Sequence, residues 1–208
     1  VSTLENVTKI IIPTIIGIDF AHFEEGYPPK DKRDLFKRVH SDNQRHPDRA
    51  LEITYHVGES YFDKSLESAI RWCHEVAEMG TKRLGHATAL GLAPAIAITR
   101  RPDAHMSELV SERLDQIAYD LTHASDLAAF NIPVDPDTLH SEQQHLQKQA
   151  PDKIVERPYN PQRLEEICNR QQYVLHCLTQ LGTVIETCPT SNLRIGGVPD
   201  PAHHPIHT

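Results

Sequence analysis

The sequence predicts a parallel α/β fold: about four central β/α units of a TIM-type (β/α)8 barrel, carrying a helical insertion. Three observations point there. Strand-like and helix-like segments alternate along the chain, the order that builds a parallel sheet. Residues able to do chemistry stand just past the C-terminal ends of the strands, the face on which β/α-barrels build their sites. Two strand starts, near residues 51 and 82, lie about thirty residues apart, close to one unit when roughly 250 residues make eight.

Residues 10–20, IIIPTIIGIDF, read as the first strand, β-branched and apolar on both faces as a buried parallel strand requires. After a polar loop, RDLFKRVHSDNQRHP reads as a helix stopped at Pro47, since proline cannot continue the backbone ladder. Residues 51–57 form the second strand. The stretch from Ser60 to Gly80 reads as a helix, with Phe62, Leu66, Ala69, Cys73, Val76 and Ala77 recurring at spacings of three or four. Gly80 suits its C-terminal cap. A short third strand ends at His86, and a fourth runs from Thr183 to about Cys188. Before the fourth lies a helix opened by Asn160-Pro161 and stopped at Gly182.

His86 and Glu186 stand 100 positions apart, far more than one unit. Residues 94–158 therefore read as a mainly helical insertion between barrel portions 1–93 and 159–208. Its helices are expected over MSELVSERLDQIAYDLTHASDLAAF and SEQQHLQKQA, separated by the proline-rich NIPVDPDTLH. Such an insertion also offers a surface for oligomer contacts.

Composition removes several classes of function. The 208 residues carry a net charge of −8, which argues against bulk nucleic-acid or anionic-membrane binding. No apolar run is long enough to span a bilayer. Cys73, Cys168, Cys177 and Cys188 lack CxxC spacing, so they read as free thiols in a reducing, cytoplasmic setting. Cys188 reads as a core residue and not as a nucleophile. The chain begins without methionine and ends within a connection, so it reads as a piece of a longer protein.

The chemistry gathers at strand ends. His56 and Glu59 follow the second strand in ITYHVGES, with Gly58 letting the backbone turn between them. Asp19, His86 and Glu186 end the other strands. A histidine ligand, an acidic carboxyl and a second histidine are the minimum for metal-assisted hydrolysis, in which the metal lowers the pKa of water and the side chains manage protons. P-loop, GxGxxG, GxSxG and HExxH patterns are absent. A small zinc deaminase of the cytidine type would need PCxxC beside HSE at 140–142, and no PCxxC exists.

YHVGES, RLGHAT and IETCPTSNLRIGG with a later HP resemble, in order, the motifs of the adenosine/AMP deaminase family. These are metal-dependent barrel hydrolases of the amidohydrolase superfamily, with the approximate patterns H-A-G-E, R-I-G-H-G, E-x-C-P-x-S-N-x-x-T-G and H-P. IIGIDFAHFEE resembles the family's G-x-D-L-x-G-x-E strand. Apart from residues 94–158, the resemblance covers the chain. It implies one Zn2+ per site and a purine nucleoside or nucleotide as substrate. It implies His56 as a zinc ligand, Glu59 as the acid that protonates a purine ring nitrogen, and His86 as the residue that orients and helps deprotonate the attacking water. Asp19, Gly58 and Glu186 become supporting residues, and Ser191 and Asn192 read as caps of the turn after the last strand. His22 stands where the family has a glycine facing the purine, which leaves the choice of adenine substrate open. The remaining metal ligands, an H-x-H pair and an Asp-Asp pair, are expected outside this chain, which alone should be inactive. Two other readings use the same residues: an amidohydrolase acting on a non-purine heterocycle or amide, and a catalytically inactive barrel used for assembly.

Overall fold

The computed structural model describes residues 15–21, 23–99 and 105–207. Its first half runs β1 (Gly17–Phe20), α1 (Arg33–Arg45), β2 (Glu52–Val57), α2 (Leu66–Glu78), β3 (Arg83–His86) and α3 (Pro94–Thr99). Then come β4 (His105–Leu109), α4 (Val110–Thr122), α5 (Ala124–Ala129), α6 (Pro136–Leu146) and β5 (Ile154–Pro158). The chain continues through α7 (Pro161–Leu181), β6 (Val184–Glu186) and α8 (Pro189–Arg194).

Strands β1, β2, β3 and β6 lie side by side in that order as one parallel sheet. The arrangement is α/β and compatible with part of a barrel. Register places Phe20 beside Tyr55, His56 beside Gly85, and Gly85 beside Glu186, so the strand ends are level. Alternation on β2 decides which side chains face the helices: Ile53, Tyr55 and Val57 are buried, while Glu52, Thr54 and His56 take the more open face.

Helix α2 covers the buried face. The Ser65 hydroxyl accepts the Ser68 N–H at 2.8 Å and sets the helix start, a cap worth about 1 kcal/mol. Leu66, Ile70, Trp72 and Val76 are each at most 2% exposed, and burying such a side chain contributes about 1.5–3 kcal/mol. The cap also corrects the expected helix start at Ser60. Phe62 falls before Ser65 and lies exposed.

Other boundaries also move. Only Gly17–Phe20 of the expected 10–20 strand is β-structure among the described residues, and residues 10–14 lie outside them. The fourth strand is shorter than expected because Pro189 opens α8, leaving Cys188 exposed at its N-terminal cap. Cys168 is exposed too, on the outer face of α7. Residues 105–109, read from the sequence as part of a helix, instead pair antiparallel with β5, Glu108 opposite Val155. The β-branched Ile154 and Val155 supply that partner, and tertiary pairing overrides local helix preference. This two-stranded sheet is separate from the parallel one. α6 begins earlier than expected, where Asp135 accepts the Asp137 N–H ahead of Pro136.

Buried ion pairs and hydrogen bonds tie α2, α4 and α7 to one another. Arg71 on α2 donates to Glu112 at 2.6 Å and to Gln116 at 3.2 Å. Trp72 Nε1 donates to the same Glu112 oxygen at 3.1 Å. Arg170 on α7 grips both Asp120 oxygens at 2.7 and 2.9 Å, and Arg163 donates to Glu67 at 2.7 Å. Among the described residues no helix is long and apolar enough to cross a membrane.

Thiol accessibility checks this packing. Burial pushes the Cys73 thiol well above its ordinary range, and alkylation needs an accessible thiolate. Iodoacetamide should modify Cys168 and Cys188 in the native protein and reach Cys73 only after unfolding, as peptide mass mapping would report. Rapid native modification of Cys73 would contradict the packing of α2.

Candidate functional site

The site forms where β2 and β3 end. Past Val57 the backbone turns at Gly58 with φ of +73°, and a Cβ there would stand 2.7 Å from Cys73 Sγ. Only glycine meets both conditions cheaply. The loop is then held by Glu24, whose carboxylate accepts the Gly58, Glu59 and Ser60 N–H groups at 2.9, 3.0 and 3.0 Å. Thr88 Oγ1 and the Ala89 N–H donate to the Gly58 carbonyl at 2.8 and 2.9 Å. Glu59 is thereby fixed at its Cα.

His86 reaches the same place through an unusual backbone. Strict alternation along β3 would send it to the face opposite Gly85. Instead His86 and Ala87 have φ of +69° and +46°, a left-handed conformation costing about 1–3 kcal/mol per residue. The His86 ring stands edge-on to His56 at 4.9 Å between centroids. Gly85 makes room, since a Cβ there would fall 2.8 Å from His56 Cγ.

The side chains form one chain of polar contacts. His56 Nδ1 lies 3.1 Å from His86 Nε2, and His56 Nε2 lies 3.3 Å from Asp19 Oδ1. His86 Nε2 is also 3.2 Å from Glu59 Oε2. Asn192, fully buried on α8, donates to Glu59 Oε1 at 2.8 Å and to His86 Nδ1 at 2.9 Å. Ser191 Oγ adds a bond to Glu59 Oε1 at 3.2 Å. Behind Asn192, His204 Nε2 meets Asn192 Oδ1 at 2.9 Å, and His204 Nδ1 accepts the Ile206 N–H at 3.0 Å.

Those contacts assign the protons. The backbone N–H of Ile206 requires a bare His204 Nδ1, so His204 carries its proton on Nε2 and gives it to the Asn192 carbonyl oxygen. The Asn192 amide must then point its two N–H bonds at Glu59 and His86. His86 Nδ1 is an acceptor, which places its proton on Nε2, toward Glu59 and His56. Burial lowers the His86 pKa below its ordinary range; Glu59 opposes this and neighbouring His56 adds to it. A neutral imidazole is what the network requires.

Of the residues singled out in sequence, His56, Glu59, His86 and Asp19 come together around Gly58. Glu186 does not join them: its carboxylate pairs with Arg83 at 3.2 Å, both side chains about half exposed. His22 lies outside the described residues. Ser191 and Asn192, read from the sequence as turn caps, send their side chains to Glu59 and His86 instead. Glu24 and His204 had signals in the sequence, the E of the HFEE stretch and the later HP, but no role was drawn from them.

Beside His56 opens a cavity of about 370 Å³ walled by Phe20, Phe23, Tyr27 and Tyr55, with Glu24 and Lys32 at its polar edge. Its size and apolar lining suit a small organic molecule. His56 offers an imidazole nitrogen near carboxylates, a donor type that zinc accepts. Both ring nitrogens already face partners, so a bond to metal would displace Asp19 or His86.

No family model matches the chain. Over 72 residues it is 36% identical to an adenosine deaminase of Mycolicibacterium vanbaalenii, covering 35% of this chain and 16% of that protein. Over 92 residues it is 33% identical to an adenosine deaminase of Mycobacterium sp. strain KMS, covering 44% and 21%. Over 72 residues it is 33% identical to adenosine deaminase 1 of Streptomyces coelicolor, covering 35% and 15%. Part of the chain is similar to bacterial adenosine deaminases. The chain spans between 15% and 21% of the length of these relatives.

Proposed function

We propose that the full-length protein is a zinc-dependent, adenosine deaminase-like hydrolase that releases ammonia from an adenine nucleoside or nucleotide, and that this chain supplies part of its (β/α)8 barrel. The observation that carries the reading is the network in which Asn192 holds both Glu59 and His86 beside His56. The partial similarity to named adenosine deaminases supports it.

In this reading the apolar cavity takes the purine, and Glu59 meets a ring nitrogen. Bound zinc would lower the pKa of a water toward neutrality. His56 would be one ligand, the others coming from outside this chain. As water adds to the ring carbon, Glu59 gives its proton to the adjacent nitrogen, which makes that carbon more electrophilic. His86, with Nε2–H directed inward, holds the attacking oxygen in line. The water's first proton reaches the exocyclic amine, which departs as ammonia; its second returns to Glu59 as the carbonyl forms. Asp19 steadies the His56 ring, Glu24 the loop carrying Glu59, and residues 94–158 are an insertion outside the catalytic layer.

His56→Ala tests the assignment of the ligand. The full-length variant should lose metal and activity together, because removing one nitrogen from a four-coordinate site weakens it directly. Zinc content by mass spectrometry and ammonia release would be measured on the same preparation. Full activity in His56→Ala would overturn this role.

A further inference from the structure

Among the described residues, three donor atoms converge within 4.8 Å of one another at His74, Glu78 and His123, a group that the proposed reaction does not use. We infer that these residues form a second zinc site, a structural clamp between α2 and the end of α4.

His74 and Glu78 are four apart on α2 and so share one face of the helix. His123 closes α4 from the other side. His123 Nε2 lies 3.3 Å from Glu78 Oε1, and His74 Nε2 lies 3.9 Å from the same oxygen. Metal–ligand bonds of about 2.0–2.1 Å in a tetrahedron hold donor atoms about 3.3–3.4 Å apart, so small side-chain rotations close the set.

Tyr119 orients both imidazoles. Its carbonyl, which can only accept, faces His123 Nδ1 at 2.9 Å and fixes the proton there. Its hydroxyl meets His74 Nδ1 at 2.6 Å. With Nδ1 turned to Tyr119 on each ring, both Nε2 atoms face Glu78, and Nε2 is the nitrogen through which each histidine would bind zinc. Without metal, a protonated His123 gives its Nε2–H to Glu78 Oε1, and zinc would take the place of that proton. The His74 side chain is 5% exposed, His123 15% and Glu78 45%, so the protein seals two ligands and leaves the third as the way in. A cavity of about 440 Å³ bordered by Glu78, Tyr119 and His123 leaves room for a water as fourth ligand. Imidazole and carboxylate donors in this number suit zinc.

The test uses the full-length protein, stripped with a chelator, dialysed and titrated with ZnCl2, in a His56→Ala background that removes the ligand proposed for the other site. Adding Glu78→Gln or His123→Ala should cost one equivalent of bound zinc per chain and abolish the zinc-induced rise in Tm, with far-UV circular dichroism unchanged. Tyr119→Phe, which keeps the ring and the carbonyl, should weaken zinc about 10–100-fold. Cobalt should give the visible bands of a tetrahedral site, absent in His123→Ala. Zinc stoichiometry and Tm shift unaffected by either ligand substitution would overturn the clamp. So would a natively folded His56→Ala protein that takes up no zinc, since a protonated His123 paired with Glu78 would then account for the contact. Loss of deamination alone bears on Glu59 and His56 and leaves this site standing.

Discussion

Glu59→Gln in the full-length protein is expected to lower the rate of ammonia release by about 10²–10⁴-fold, the usual contribution of general acid–base catalysis, with bound zinc nearly unchanged. Glutamine keeps the length of the side chain and an oxygen to accept the Asn192 and Ser191 bonds now made to Glu59 Oε1. It has no proton to give at neutral pH. The change acts on the chemical step and removes no metal ligand. The contrast with His56→Ala, which should lose metal as well, separates acid from ligand. Near-normal ammonia release by Glu59→Gln would favour a hydrolase acting on an amide, for which ring protonation is not needed.

Arg170→Met should destabilise the fold by about 3–5 kcal/mol, the cost of leaving a buried charge without its partner. Asp120 is buried, and Arg170 satisfies both its oxygens. Methionine fills similar volume but offers no donor. Against a typical total of about 5–15 kcal/mol the loss is large, and it should appear as a lower denaturant midpoint with an unchanged slope. Asp120→Asn added to Arg170→Met should recover part of it, because the stranded charge is gone. A shift under about 1 kcal/mol would show that the pair is solvated, contrary to its burial. Glu67 gives the same region an acid sensitivity. Burial alone would raise its carboxyl, but Arg163 and Arg157 hold it below the usual range. Its stabilisation is therefore present above the ordinary carboxylate pKa of about 4.3 and is lost as pH falls through the lowered value.

Much of the site could be read from strand ends. His56 and Glu59 follow a strand of alternating burial, and the glycine between them carries the φ that the turn requires. His86 was legible as a strand-end residue, but its direction was not. Alternation alone sends it to the wrong face, and the left-handed backbone at His86 and Ala87 corrects that. Asn192 was the hardest to read, standing 133 positions from Glu59 in a short turn-like segment where an asparagine ordinarily serves as a cap. Glu186 failed for a local reason: Arg83, on the next strand and the same face, takes its charge. The strand at His105–Leu109 was hidden because its partner lies about 45 residues further on, and strand preference depends on such context.

The central claim is that the residues around His56, Glu59 and His86 serve hydrolytic deamination of an adenine. Its most direct test is to incubate the zinc-loaded full-length protein with adenosine, AMP and ATP and quantify ammonia together with the purine product by chromatography. The expected result is ammonia in equal amount to the hypoxanthine-bearing product from at least one substrate, stopped by a chelator and restored by zinc. Zinc-loaded, natively folded protein that releases no ammonia from any of the three would contradict it.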